Sequence, residues 1–111
     1  MLTIKDKGIL IQIINRCTRI INKIKNIEYN EFVNNDDIKE VICFNLFQIG
    51  ELASKLSFNF IEKDLFLWKQ IIGMRHRIVH GYDTIDLEIV WNTAMYNILP
   101  LKNYCLEFIN A

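Results

Sequence analysis

Both histidines and two of the four arginines of this 111-residue chain fall within six residues, Arg75-His76-Arg77-Ile78-Val79-His80. Histidine titrates near neutral pH, so it can take or give a proton under ordinary conditions. Arginine presents a planar, permanently charged fork that fits phosphate oxygens. Together they suit acid–base chemistry or recognition at a phosphate. Three readings stand side by side. His76 and His80 share a helix face at a metal-ligand spacing, but no Glu adjoins His76, there is no third His, and two guanidinium groups in the same turns disfavour a divalent cation. A purely structural reading pairs Arg75 and Arg77 with acids of an earlier helix and sets His80 at a helix C-terminus, where the dipole favours a cation. A phosphodiester site is the third, and spacing alone does not raise it above the second.

Hydrophobic spacing puts this cluster on a helix and supplies three others to hold it. Leu10, Ile13, Cys17, Ile20, Ile24 and Ile27 step by 3, 4, 3, 4 and 3 residues, a helical stripe. The pairs Ile13-Ile14 and Ile20-Ile21 break the alternation a strand needs. Thr3 with Asp6 resembles a capping box at its start. Asn30 to Asn35 reads as a polar break. Asn35, Asp36 and Asp37 then open a second helix to about Ser57, since acids meet the positive end of the helix dipole. Phe44, Leu46 and Phe47 widen its apolar surface beyond one face, and Gly50 and Ala53 are small enough for another helix to approach closely. Ser57 to Lys63 reads as a connection. Asp64 can cap a third helix from Leu65 to about His80, ended by Gly81 as a left-handed residue. Asp83 to Asp86 offers a new cap for a fourth helix, which Pro100 should kink or restart. The expected architecture is all-α: an up-and-down four-helix bundle with a kinked or extra C-terminal helix, forming one domain over residues 1–111.

Composition bounds the function. A 13.2 kDa chain buries about two-thirds of its open-chain surface, enough for one core and too little for two. Thirteen bases balance thirteen acids, which argues against nucleic-acid binding driven by bulk charge. The charge is unevenly spread: residues 1–30 hold six bases and two acids, residues 31–66 three bases and seven acids. These segments can simply be solvated faces, or they can attract each other or face different partners. Cys17, Cys43 and Cys105 form no CxxC pair and are odd in number. They read as small buried hydrophobes in a reducing, cytoplasmic setting. The longest uncharged run, Ile89 to Leu101, is thirteen residues, short of the roughly 20 a membrane-spanning helix needs. No signal peptide is expected, because Gln12, Asn15 and Arg16 interrupt the apolar run and no cleavage site follows.

The string from Ile72 through Arg75, His76, Arg77 and His80 to Tyr82, followed by Asp86-Leu87-Glu88-Ile89-Val90-Trp91, resembles the HepT-like branch of the HEPN superfamily. Its pattern of Arg, four residues, His, one residue, Tyr is matched without a gap by Arg75, His80 and Tyr82. His76 fits the polar residue that commonly follows the Arg. Gly50-Glu51 with Leu52-Ala53, and Trp68, are also similar, and the resemblance covers most of the chain. It implies an all-α homodimer that is the toxin of a toxin–antitoxin pair, with a minimal, MntA-like nucleotidyltransferase as antitoxin. It also implies a metal-independent ribonuclease acting on RNA, with Arg75 and His80 catalytic. Tyr82 would be the residue the partner modifies with AMP, using ATP as donor, and the chain itself would carry no cofactor and bind no metal.

His76 and Arg77 are expected as secondary phosphate-binding residues. The alternative is a non-catalytic helical subunit that binds a nucleotide or substrate for a two-component nucleotidyltransferase. Metal-free RNA cleavage needs a base for the 2′-OH, charge stabilisation at phosphorus and an acid for the leaving 5′-oxygen. One imidazole cannot readily be both base and acid, so a two-fold dimer with a second His80 across the cleft supplies the missing role. Arg75 and His80 lie about 140° apart on an ideal helix. They converge only if the helix loosens near its end or if each chain contributes one member. Glu51 stays open between orienting Arg75 and lying in solvent. Trp68 and Trp91 are expected as core or dimer-interface anchors.

Overall fold

The computed structural model describes residues 2–80 and 86–111; the side chains of Val79 and His80 lie outside that description. Four long elements make the bundle: α1 (Ile4–Ile24), α3 (Asp36–Ala53), α5 (Leu65–His80) and α7 (Ile98–Ile109). Short helices lie between them: α2 (Tyr29–Asn34), α4 (Phe58–Ile61) with the 3-10 turn Glu62–Asp64, and α6 (Leu87–Asn92), which a π-helical turn at Thr93–Asn97 joins to α7. The start of α1 meets the end of α3, where Asp6 bonds Ser57, so these two run antiparallel. Trp68 on α5 lies against Tyr104 on α7 while Met74 and Arg77 face Thr93 and Asn97, so α5 and α7 are antiparallel too. The result is the expected all-α, up-and-down bundle, with α1 packed on α3 and α7, and α3 on α5.

The apolar stripe of α1 becomes its buried face: Leu10, Ile13, Cys17 and Ile20 are fully enclosed. The helix ends at Ile24 rather than carrying on to Ile27, because Asn26 takes a left-handed backbone, φ 64°, which asparagine tolerates and which stops helical bonding. Asn35, Asp64 and Asp86 cap as expected; their side chains accept from the amides of Ile38, Leu67, and Glu88 with Ile89. Half of the expected capping box forms: Thr3 accepts from the Asp6 amide at 3.0 Å. The Asp6 carboxylate instead crosses to α4, accepting from the Ser57 amide at 2.9 Å and hydroxyl at 2.6 Å.

Two segments read as connections are helical. The polar run at Asn30 to Asn35 hides Phe32, which is fully buried and packs with Tyr29 against Trp91 of α6. This anchors α2 across one end of the bundle. Ser57 ends no long helix, since α3 stops at Ala53; its hydroxyl caps α4. Phe60 of α4 then stacks on Trp68 and Phe108 and closes the opposite end. Pro100 sits in the first turn of α7, directly after the π turn. A proline there removes one backbone donor and crowds the preceding turn, and the wider π winding absorbs that crowding. The expected kink is therefore a change of winding.

Candidate active site

Glycine at position 50 sets the geometry. A Cβ added there would lie 2.9 Å from Arg75 Cβ, 3.0 Å from Arg75 N and 3.1 Å from Ile71 O. The backbones of α3 and α5 thus meet at a distance only glycine permits. This contact brings Arg75 beside the next turn of α3. Its Nη1 donates to Glu51 Oε1 at 3.0 Å and to Ser54 Oγ at 3.1 Å. The Ser54 hydroxyl donates in turn to the Glu51 carbonyl at 2.6 Å, which leaves its oxygen lone pair toward the guanidinium. Arg75 and Glu51 are each little more than one-third exposed, so the pair is screened and orients more than it stabilises.

Glu51 is therefore a hydrogen-bonded partner of Arg75, though still about one-third exposed. Ser54, the residue that follows α3, is not one that the sequence singles out, although it lies one turn beyond Gly50 and Glu51, where small residues let a neighbouring helix come close.

The rest of the cluster is divided between flanks. Arg77 is exposed and lines a cleft of about 500 Å³ between α5 and the C-terminal helices, beside Met74, Asn97 and Tyr104. Arg75 faces α3 instead, so the two arginines do not converge within one chain. His76 is exposed on the outer side of α5. His80 is the last residue of α5, and its side chain lies outside the described residues, as do Gly81 and Tyr82 in their entirety. The helix remains α through His80. Up to that point it does not loosen in a way that would bring His80 round to Arg75.

All three cysteines are buried. Burial pushes the Cys17 and Cys105 thiols up to about 12 and raises Cys43 as well, so they behave as the expected hydrophobes rather than nucleophiles. Trp68 and Trp91 are buried core anchors. Among the described residues no group of three or more His, Cys, Asp or Glu side chains could hold a metal ion, and no helix is long and apolar enough to cross a membrane.

The pattern of the family described as Ribonuclease HepT-like matches residues 13–108. The chain belongs to this family. Two proteins of Methanocaldococcus jannaschii, each named as a "putative RNase", are 38% and 36% identical to it over 97 residues. These spans cover 86% of this chain and 80% and 84% of the relatives. A protein of Caldanaerobacter subterraneus with the same description is 30% identical over 98 residues, 87% of this chain and 88% of the relative. No solved structure matches significantly. The HepT-like match takes in α3, α5 and the Gly50 crossing, so the Glu51–Arg75 arrangement lies inside the region that defines membership.

Proposed function

We propose that this HepT-like chain is a metal-independent endoribonuclease whose site is completed by a second copy of itself. It would act as the cytoplasmic toxin of a pair with a nucleotidyltransferase antitoxin. The observation that carries the composite site is the unbroken α5. A helix that stays regular from Arg75 to His80 keeps the two about 140° apart, which supports a site shared between Arg75 of one chain and His80 of another. The outer face of α5 suits such a mate. Phe66, Gly73 and His80 occupy positions seven residues apart, hence nearly one line along the helix. Phe66 is 75% exposed, and a Cβ at Gly73 would touch nothing within 4 Å.

In this site one His80 removes the proton from a ribose 2′-OH, and the 2′-oxygen attacks the adjacent phosphorus. The Arg75 guanidinium, held by Glu51 and Ser54, stabilises the charge that builds on the phosphoryl oxygens. The second His80 protonates the departing 5′-oxygen, leaving a 2′,3′-cyclic phosphate and a 5′-hydroxyl. His76 and Arg77 hold flanking phosphates from the outer surface. The nucleotidyltransferase silences the site by transferring AMP from ATP to the hydroxyl of Tyr82, two residues beyond His80 in the sequence, with release of pyrophosphate, which adds a charged nucleotide to the motif.

RNA incubated with purified protein should be cleaved equally with and without EDTA, and His80→Ala should abolish cleavage. A His80→Ala protein as active as the parent would sink the reading. Absence of cleavage, with AMP incorporated at Tyr82 only when the nucleotidyltransferase is present, would favour the non-catalytic subunit instead.

A further inference from the structure

The other two arginines, Arg16 and Arg19, lie on α1. A groove of about 700 Å³ runs between α1 and α3, with Arg19 and Lys23 on one wall and Phe44 on the other. Phe44 is 53% exposed, a large apolar ring left in solvent. The Arg16 guanidinium stands 5.5 Å over that ring and donates to Asn45 Oδ1 at 3.2 Å. Asn45 is itself buried, and its own amide is fixed on the Val41 carbonyl at 2.8 Å. Arg16 is thus held before any ligand arrives, which lowers the entropy cost of binding through it. Arg19 and Lys23 are one helical turn apart, so their side chains leave α1 roughly 6 Å from each other. That matches the repeat of phosphates along a single strand. One lining carboxylate, Glu40, stands against three cations counting Arg16, so the groove is net positive on a chain of zero net charge.

We propose that the α1–α3 groove binds single-stranded RNA, with Phe44 as a base-stacking platform and Arg16, Arg19 and Lys23 on the phosphates. This rests on the ribonuclease reading, and it adds a binding site remote from the Arg75–His80 motif. An exposed ring beside a fixed guanidinium is the pairing that sequence-tolerant single-strand binding uses. An acidic protein surface would be served by the cations alone and would gain nothing from the half-exposed ring under Arg16. The groove also leads toward the motif. Phe44 and Glu51 are seven residues apart on α3, which puts them on one face with about 10 Å of rise between them. A strand seated on Phe44 and following α3 therefore comes to Glu51, which holds Arg75.

Fluorescence anisotropy of a labelled, 2′-O-methylated oligouridine of about 12 nucleotides reads this binding without cleavage. Phe44→Ala and Phe44→Leu should each weaken binding at least fivefold, the low end for loss of a stacking ring, while Phe44→Trp retains it. Arg19→Gln with Lys23→Gln should weaken binding and lower the salt dependence by about 0.7 per cation removed. Equal affinity across the series would overturn the proposal, as would full recovery in Phe44→Leu, which would mark a merely apolar, protein-binding surface. A parent that does not bind the oligonucleotide also overturns it. The ribonuclease reading fails separately, if the parent leaves cleavable RNA intact or if His80→Ala cleaves it as well as the parent does.

Discussion

Arg75 shows how one side chain can be prepared by its neighbours without being stabilised by them. Glu51 and Ser54 both accept from its Nη1, yet the ion pair is exposed enough that its removal should change stability by under about 1 kcal/mol. The consequence should fall on reaction rate. Glu51→Ala should slow single-turnover RNA cleavage by about ten- to a hundredfold, the usual cost of a misplaced catalytic group. Glu51→Gln, which can still accept the bond, should recover most of the rate, and melting temperatures should be nearly equal for all three proteins. Asp6 is the opposite case, a side chain with no place in the chemistry that holds two helices together. Burial pushes its carboxyl up, but the Ser57 hydroxyl and amide, with Thr3 and Lys5, bring it below the ordinary aspartate value of 3.8. A lowered folded-state pKa adds stability above the ordinary value and loses it as pH falls through the folded one. Asp6→Asn should therefore destabilise by about 1–3 kcal/mol at neutral pH. Denaturant titrations of parent and variant should draw together as pH drops below 3.8.

Helices α3 and α5 meet through one residue without a side chain, so element packing and site geometry can be tested by the same change. Gly50→Ala forces a methyl to 2.9 Å from Arg75 Cβ and against backbone on either side. It should cost about 1–3 kcal/mol as overpacking and also reduce cleavage, because Arg75 shifts with α5. Gly8→Ala is the control within α1: its Cβ meets nothing within 4 Å, so it should raise stability by about 0.5–1 kcal/mol. The close approach at Gly50 was legible in the sequence, as were the long helices and their caps at Asn35, Asp64 and Asp86. Each follows from local rules of period, capping and size. What stayed hidden depends on distant partners. Phe32 sits in a polar stretch and makes a helix only because Trp91 waits across the fold. Asp6 looks like half of a capping box until Ser57, 51 residues on, takes its carboxylate. Glu51 could not be assigned while the crossing that gives it Arg75 was unknown.

The molecule as a whole is neutral but not uniform, and Phe66 on the outer face of α5 is among the most open of its large apolar side chains. Sedimentation equilibrium at micromolar concentration should return twice the 13.2 kDa chain mass. Phe66→Glu should shift it toward monomer and abolish RNA cleavage; a monomer that still cleaves would remove the composite site. The two aromatic clusters add an optical consequence. Trp68 lies among Phe60, Tyr104 and Phe108 at one end of the bundle, and Trp91 among Tyr29 and Phe32 at the other. With Trp68→Phe, the remaining emitter sits nine residues from Tyr82 in the chain. Its fluorescence then becomes a built-in gauge of whatever docks against the end of the molecule where α2 meets α6.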